Sequence, residues 1–343
     1  MNLDFRIGSK TDPTEIAALG ARAERLGAAA LWSSEAGHDP FLLAQDAITA
    51  TRTVSVGTAI AVSYARTPMA TATAAWHLQR RSGGRFVLGL GTQVPQHVER
   101  RYGAPWLGGV APTREYVEVL RHIWAHWQHR SEPAYVGRHY RFTLASPEFD
   151  PAPLPEHHTP IPIWLAAVGP GMARLSGEVA DGVHVHSFHT PEHLASRLLP
   201  AIDDGVDRAN RSARPVTSSP VFAGVAHDAA EAAALRDHFA AHVAFFASTP
   251  AYRPVLDWGG WGDVQTTLRD LVRGKQWGEL AHHVPDEMFD AFVTIAGPRE
   301  LGTILAARYS GLLDQLGLYR GGDRFMDDHD WDVFAAAVGE TTT

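Results

Sequence analysis

The sequence predicts an α/β fold, a (β/α)8 TIM barrel with insertions after strand 4 and before strand 8. Apolar segments of strand length alternate with helical segments along most of the 343 residues. Strands such as residues 85–91 and 161–169 are apolar almost throughout, which is typical of a parallel sheet covered on both faces. Eight strand–helix pairs favour a closed barrel over the alternative, a doubly wound Rossmann sheet.

Each predicted strand is a short run of apolar or β-branched residues. The eight strands are residues 3–7, 28–34, 53–63, 85–91, 161–169, 182–188, 217–225 and 291–297. Polar caps, prolines and glycines delimit the helices, as Thr11-Asp12-Pro13 and Gly27 do for the first one. The predicted helices are residues 13–26, 41–52, 68–81, 112–129, 171–180, 191–209, 228–247, 263–282 and 298–316, with one more in the tail, 323–343.

Three stretches break this alternation. Residues 92–111 carry prolines and a glycine pair, and residues 130–160 are rich in proline and aromatic residues. The third stretch covers about residues 248–290. We predict that all three are insertions into a single domain spanning residues 1–343.

Composition and charge exclude several classes of function. The chain has no cysteine, so a disulfide and a cysteine nucleophile are both excluded. Its formal net charge is −8 and no basic block is interleaved with aromatic residues, so we expect no nucleic-acid partner. No apolar run reaches the roughly 18 residues of a membrane span, and the N-terminus lacks a signal-peptide pattern. We therefore expect a cytoplasmic protein that acts on a small molecule without a membrane partner.

The stretch SGGRFVLGLGT (82–92) raises the question of a nucleotide site. Gly89 and Gly91 begin the dinucleotide fingerprint, but its third glycine is missing and Pro95 follows where a helix should form. Two interpretations remain. The glycines either ease packing inside the barrel or leave bare main chain beneath a flat ligand.

Polar residues follow several predicted strands, at the end of the barrel where TIM-barrel active sites lie. The second strand leads into a cluster with Glu35 and His38. After the fifth strand, the turn at residues 169–172 opens a helix whose free N–H groups can hold an anion. His184 and His186 of the sixth strand are two residues apart and share one face; a structural role suits His184 better.

Two other classes of function fit part of this pattern. The His184-x-His186 pair suggests a metal-dependent hydrolase, although the histidine pair expected on an early strand is missing. A barrel that binds a flavin without turning it over is a third alternative. Trp106, Trp258 and Trp261 lie in the insertions, where they either wall an apolar substrate pocket or pack the insertions onto the barrel.

Five stretches in order along the chain resemble the bacterial luciferase-like superfamily, in particular its branch of deazaflavin (coenzyme F420)-dependent oxidoreductases. They are GTAIAVSYARTPMATA, SGGRFVLGLGTQVPQH, REYVEVLRHIW, PIWLAAVGPGMARLSGEVADGVHVHSF and AGPRELGTILAARYSGLLDQLG. The resemblance implies a barrel with insertions that binds a flavin or deazaflavin at its C-terminal mouth. It also implies a homodimer as one arrangement to consider, since relatives are often dimers.

The resemblance carries specific residues with it. It places a cis peptide bond that supports the ring between Ala59 and Ile60, and the cofactor's phosphate at the turn 169–172. The implied cofactor contacts are Glu35, Ala59, Ile60, Val62, Thr92, Gln93, His97, Val168, Gly169, Gly171 and Met172. His186 matches a substrate-facing position.

The proton donor departs from one branch of the family. In the sugar-phosphate dehydrogenases a catalytic histidine follows the strand-two acid directly, whereas here Ala36 holds that position and His38 lies two residues further on. No lysine matches the phosphate-binding positions of that branch, so we expect no sugar-phosphate substrate. Our hypothesis is that His38 or His186 moves the proton with a pKa suited to neutral pH, while Glu35 orients the ring or the histidine.

These inferences predict an enzyme that transfers a hydride between coenzyme F420 and a small apolar organic substrate. The alternative is a luciferase-like monooxygenase that uses flavin mononucleotide (FMN), and a metal-dependent TIM-barrel hydrolase is a remote one. We expect no metal for either of the first two.

Overall fold

A computed structural model describes residues 1–8 and 10–340 and shows a closed barrel of eight parallel strands. The ring runs in the order β1, β2, β3, β5, β8, β9, β10 and β12, and β12 pairs with β1 to close it. The predicted (β/α)8 fold is therefore confirmed. The ring strands are β1 (Asn2–Ile7), β2 (Ala30–Ser33), β3 (Ser55–Thr58), β5 (Phe86–Gly91), β8 (Ile163–Ala167), β9 (Gly182–Val185), β10 (Val216–Val225) and β12 (Gln315–Leu318).

Helices cover the outside of the ring, and their starts follow the local sequence. Asp39 accepts the N–H of Phe41 to cap the second helix, and Asp228 caps the ninth in the same way. The helices of the barrel wall and tail are α1 (Ile16–Arg25), α2 (Pro40–Ala50), α3 (Pro68–Ser82), α5 (Val110–His129), α6 (Pro170–Val179), α7 (Pro191–His193), α8 (Leu199–Arg208), α9 (Ala229–Ala247), α13 (Pro298–Tyr309) and α14 (Asp328–Glu340). A π-helical turn, Leu194–Leu198, joins α7 to α8 inside the predicted helix 191–209.

The three irregular stretches contain short elements of their own. The first holds α4 (Pro95–Arg100), and the second holds a hairpin of β6 (Tyr135–Val136) and β7 (Arg141–Phe142). The third contains α10 (Arg253–Trp258), α11 (Gly262–Arg273), a 3₁₀ segment (Trp277–His283) and α12 (Asp286–Phe292). The single-domain organisation of residues 1–343 stays a prediction.

The predicted eighth strand is wrong in its position. Residues 291–297 contain β11 (Val293–Ala296), but this strand pairs only with residues 222–225, the C-terminal end of β10. The barrel closes instead through β12, which pairs with residues 218–221 of β10 on one side and with β1 on the other. The predicted helix 298–316 overlaps the first two residues of β12, because Leu312, Leu313 and Leu316 continue the helical spacing of α13.

The interior of the barrel is filled by large aromatic side chains. Trp32 of β2 and Trp164 of β8 lie 4.8 Å apart between ring centroids, and the His184 ring contacts both. A Cβ at Gly182 would collide with the Trp164 ring, so this glycine makes room for it. None of the helices in the described part of the chain has the length and apolar character needed to cross a bilayer.

Candidate active site

A short main-chain segment at the C-terminal rim interrupts the third strand. The predicted strand 53–63 divides into β3 and β4 (Ala61–Val62), and the peptide bond between Ala59 and Ile60 is cis, as the resemblance implies. Both residues are partly exposed. We call residues 58–62 the ledge.

Hydrogen bonds from neighbouring strands fix the ledge. The Thr58 hydroxyl donates to the Gly89 carbonyl (2.6 Å) and accepts the Gly89 N–H (2.9 Å), replacing the ladder bonds lost where β3 ends. The Ala59 N–H donates to the Ser33 carbonyl at 2.6 Å. The ledge is therefore tied to both adjacent strands, β2 and β5.

Glu35 holds the ledge from the end of β2. Its N–H donates to the Ile60 carbonyl (3.2 Å), and its Oε2 accepts the Val62 N–H (2.7 Å). The same oxygen pairs with Arg66 at 2.6 Å, and Arg66 reaches Asp39 at 2.7 Å. Because the Glu35 side chain is only 6% exposed, its geometry suits a supporting role beneath the ledge.

Two residues beside Glu35 escaped the sequence analysis. Arg66 follows the ledge and neutralises the Glu35 carboxylate. Burial, and then the nearby Glu35 charge, raises the pKa of Tyr102. Neither residue has a distinctive spacing from Glu35 in the sequence, so only the folded chain brings them together.

The glycines of β5 support the ledge and do not leave bare main chain for a ligand. A Cβ at Gly89 would collide with the Thr58 carbonyl and lie 2.8 Å from His184 Nε2. A Cβ at Gly91 would lie 2.8 Å from the Ile60 side chain. The packing interpretation of these glycines is thus the one that the contacts support.

Thr92, Gln93 and His97 lie just beyond the ledge. Val62 pairs with Gly91, so Thr92 and Gln93 continue the rim next to β4. Gln93 adopts a left-handed conformation, with φ 58°, that a non-glycine residue seldom takes. Both side chains are partly exposed, whereas His97 is exposed on α4.

The predicted phosphate turn lies at the end of β8, the strand that pairs with β5. The first bond of α6 runs from the Ala173 N–H to the Gly169 carbonyl, so the Gly171 and Met172 amides precede it. A Cβ at Gly169 would meet nothing within 4 Å. Val168 is partly buried against the apolar core of the third insertion. The turn therefore has open space and donor groups suited to an anion.

His38 lies on the exposed part of the loop after β2. Among the described contacts it makes no hydrogen bond to Glu35, whose Oε2 bonds Val62 and Arg66. Arg101 fixes the same loop by donating to the Ala36 carbonyl at 2.5 Å. The structure thus places His38 at the rim but not against Glu35.

His186 lies in an aromatic cluster, and both of its ring nitrogens are engaged. Nδ1 accepts the Phe188 N–H at 3.1 Å, and Nε2 lies 3.0 Å from the Tyr252 hydroxyl. The rings of Phe246 and Tyr252 lie 4.9 and 4.8 Å from it. Burial, then His189 and Arg6, lower the pKa of His186 to about 3. The expectation that His186 titrates near neutral pH is therefore wrong, because it is neutral and its Nε2 is already bonded.

Two charged side chains inside the barrel were also missed. Asp4 and Arg6 share the inward face of β1 and form an ion pair at 3.5 Å. Asp4 accepts from Ser218 of β10 (2.5 Å) and Trp32 (3.2 Å), and burial raises its pKa. The signal was present in the sequence, since LDFRI puts both charges on one side of an otherwise apolar strand.

The remaining sequence-based alternatives receive less support. Trp106 packs edge-on against Tyr64, and Trp261 packs on Phe292, so both serve the packing of insertions. Trp258 is 42% exposed. Among residues 1–8 and 10–340, no three His, Asp or Glu side chains are grouped so as to hold a metal ion.

The fold and the rim together define the class: a (β/α)8 barrel with a candidate active site at the carboxyl ends of its strands. The family model of luciferase-like monooxygenases matches residues 3–315, and the chain belongs to this family. It is 38% identical to the uncharacterized protein Rv1360 of Mycobacterium tuberculosis over 296 residues, which cover 85% of this chain and 86% of that one.

A second relative from Mycobacterium tuberculosis, provisionally named coenzyme F420-dependent oxidoreductase Rv3520c, is 31% identical over 86% of this chain and 88% of its own. The F420-dependent tetrahydromethanopterin reductase of Methanopyrus kandleri has the same fold, with a TM-score of 0.80, 18% identity and 99% of both chains covered. The FMN complex of the oxygenating constituent of 3,6-diketocamphane monooxygenase from Pseudomonas putida also shares it, with a TM-score of 0.70, 14% identity and 99% and 98% coverage.

Proposed function

We propose that this enzyme is a coenzyme F420-dependent oxidoreductase that transfers a hydride between the deazaflavin and a small organic substrate. The observation that carries the proposal is the ledge, a partly exposed main-chain segment with a cis peptide bond at Ala59–Ile60. The F420-dependent name of a 31% identical relative supports the choice of cofactor.

The residues of the rim fit such a cofactor. Ala59 and Ile60 offer a flat support for a ring, and Thr92, Gln93 and His97 follow on the adjacent strand β5 and helix α4. Val62 is buried in the ledge and holds it through its N–H bond to Glu35. The open Gly169 and the amides of Gly171 and Met172 suit a phosphate, with Val168 beside them. When bound, coenzyme F420 would supply a hydride donor or acceptor at C5 of its ring; the rest of the chemistry falls to the protein.

The proton must come from a group that titrates or is open to substrate. Glu35 is ion-paired and covered, so it positions the ledge. His186 presents a neutral imidazole already bonded to Tyr252, so it suits the wall of a substrate site. His38 is exposed at the rim, and of the two histidines it is the better candidate for the general acid or base.

His38→Ala should lower turnover by at least about tenfold while F420 affinity is kept, because only proton transfer is removed. His186→Ala is the matched variant on the opposite side of the rim. If His38→Ala keeps the wild-type rate, the proton donor has been assigned wrongly.

The second candidate is an FMN-dependent monooxygenase, which the shared fold of an FMN complex favours. Titration of the purified protein with F420 and with FMN, followed by fluorescence, separates the two. Micromolar binding of F420 with weak binding of FMN supports the proposal, and the opposite preference contradicts it.

A further inference from the structure

The upper part of the barrel lumen contains an arginine. Side chains alternate along β1, so Phe5 packs outward on Trp331 of α14 while Asp4 and Arg6 point inward. Arg6 is two residues nearer the C-terminal mouth than Asp4. Its side chain is 20% exposed, whereas that of Asp4 is fully buried. The guanidinium therefore lies nearer the mouth than the Asp4 carboxylate and is partly exposed.

The hydrogen-bond donors of Arg6 are only partly used. Nη2 donates to the Ser218 hydroxyl at 3.2 Å and lies 3.5 Å from Asp4 Oδ2. That same carboxylate oxygen already accepts from Ser218 and Trp32. Nε of Arg6 is buried without an acceptor, and Nη1 makes no hydrogen bond to any described residue. The guanidinium thus has N–H groups that a ligand could use.

The charge of Arg6 is incompletely balanced by its surroundings. Asp4 is the one carboxylate of the described residues in an ion pair with it, through a single long contact. Arg6 acts on His184 of β9 and on His186, which follows that strand. Burial and then Arg6 lower the pKa of His184. Burial, then His189 and then Arg6 lower the pKa of His186. These neutral histidines supply no negative charge, so the long contact with Asp4 is the one ion pair of Arg6 among the described residues.

We propose that Arg6 is a substrate-binding residue and that the substrate carries a carboxylate, which accepts hydrogen bonds from the unused N–H groups of the guanidinium. An anion at Nη1 would balance the charge, and arginine is well suited to carboxylates. The inference rests on the proposed function and deepens it: the substrate class becomes small carbonyl compounds, or alcohols, that also bear a carboxylate. This adds a carboxylate to the small apolar organic substrate predicted from sequence.

Paired acids and amides test the proposal on the full-length protein, with and without bound F420. Acetate, benzoate and 3-phenylpropionate are each compared with the corresponding primary amide by ligand-observed NMR. We expect at least one acid to bind tenfold or more tightly than its amide. If no acid exceeds its amide by threefold, the proposal is wrong.

Two variants test whether the preference for an acid over its amide depends on Arg6. Asp4→Asn keeps the guanidinium and should retain or increase the preference for the acid. The double variant Asp4→Asn with Arg6→Gln removes both charges together, which avoids a lone buried carboxylate, and should abolish the preference. A preference that persists in the double variant contradicts the proposal.

The F420 titration of the same samples keeps the two proposals distinct. Weak F420 binding by the wild-type protein would contradict the proposed function. Normal F420 binding without discrimination between acid and amide would contradict the role of Arg6 alone. Circular dichroism of each variant verifies that it is folded.

Discussion

The two sides of the barrel rim are built in different ways. The ledge side consists of main chain fixed by hydrogen bonds from Glu35, Ser33 and Thr58, all at the ends of barrel strands. The opposite side consists of side chains, with His186 enclosed by residues such as Tyr252 from the third insertion. A support made of main chain suits a flat ligand whose shape does not vary. A wall built from an insertion can vary in sequence, and its side chains can suit different substrates.

Acidification tests this contrast most strongly, because four buried histidines whose pKa is lowered, His184, His186, His189 and His193, lie on the β9 side. Burial lowers the pKa of His186 to about 3 and the pKa values of His189 and His193 to about 4. Each stays neutral in the folded state but is protonated in the unfolded chain below about pH 6.5.

The free energy of unfolding should therefore be unaffected by these histidines above pH 6.5 and should fall as the pH drops towards 4. Each histidine contributes up to about 1.4 kcal/mol per pH unit. His227 acts in the opposite direction, because Glu231 and Asp330 raise its pKa, but it is exposed and its effect is small. In hydrogen exchange at pH 5.5, the backbone amides of residues 184–193 should lose protection to a greater extent than those of the ledge. Equal loosening on both sides would refute the contrast.

A methyl group on Gly89 should be the most damaging single change to the ledge side. Its Cβ would meet the Thr58 carbonyl and His184, neither of which is free to move away. Gly89→Ala should cost about 3 kcal/mol of unfolding free energy.

Chemical denaturation measures this cost. The control is Gly278→Ala, where the added Cβ would meet nothing within 4 Å. An unchanged stability of Gly89→Ala would show that the ledge is not packed against β5 as described.

Tyr252→Phe probes the insertion-built side with a smaller change. The variant removes the hydroxyl that bonds His186 Nε2 and leaves a buried ring nitrogen without a partner. We expect a loss of about 1–2 kcal/mol, with F420 affinity unchanged because the ledge is untouched. Thermal unfolding and a cofactor titration measure the two quantities. A large loss of F420 affinity would mean that the two sides are not independent.

His38→Ala should have the smallest effect on stability, within about 0.5 kcal/mol, since the side chain is exposed. A thermal-unfolding curve that coincides with that of the wild type is the expected result. A marked destabilisation would show that His38 supports the rim structurally, and the loss of turnover could no longer be attributed to proton transfer.

The sequence predicted the parts of the molecule that depend on local pattern. Seven of the ring strands stand apart from the helical patterns around them, but β12 was missed because its apolar residues continue the spacing of α13. Asp4 and Arg6 could have been found from the alternation in β1. The i, i+4, i+7 spacing of His122, His126 and His129 predicts a solvated helix face, but His126 is buried and bonded to Asp150.

The cis bond of the ledge and the position of Glu35 were predicted through the family resemblance, whereas the side chains brought from distant segments were not predicted. The Ala59–Ile60 peptide and Glu35 lie close together because they follow the paired strands β3 and β2. Arg66, Tyr102 and Tyr252 come from a turn and from insertions whose paths the sequence pattern does not specify. The neutral state of His186 depends on burial by those insertions, so its pKa could not be predicted from residue type.

The account depends most on the claim that Glu35 holds the ledge for the cofactor. The direct measurement is the F420 affinity of Glu35→Ala beside that of Asp39→Asn. Both substitutions remove a partner of Arg66, but only the first removes the acceptor of the Val62 N–H, and asparagine still caps α2. We predict a loss of at least about tenfold for Glu35→Ala, worth roughly 1.4 kcal/mol, and little change for Asp39→Asn. Equal affinities for the two variants would contradict the claim.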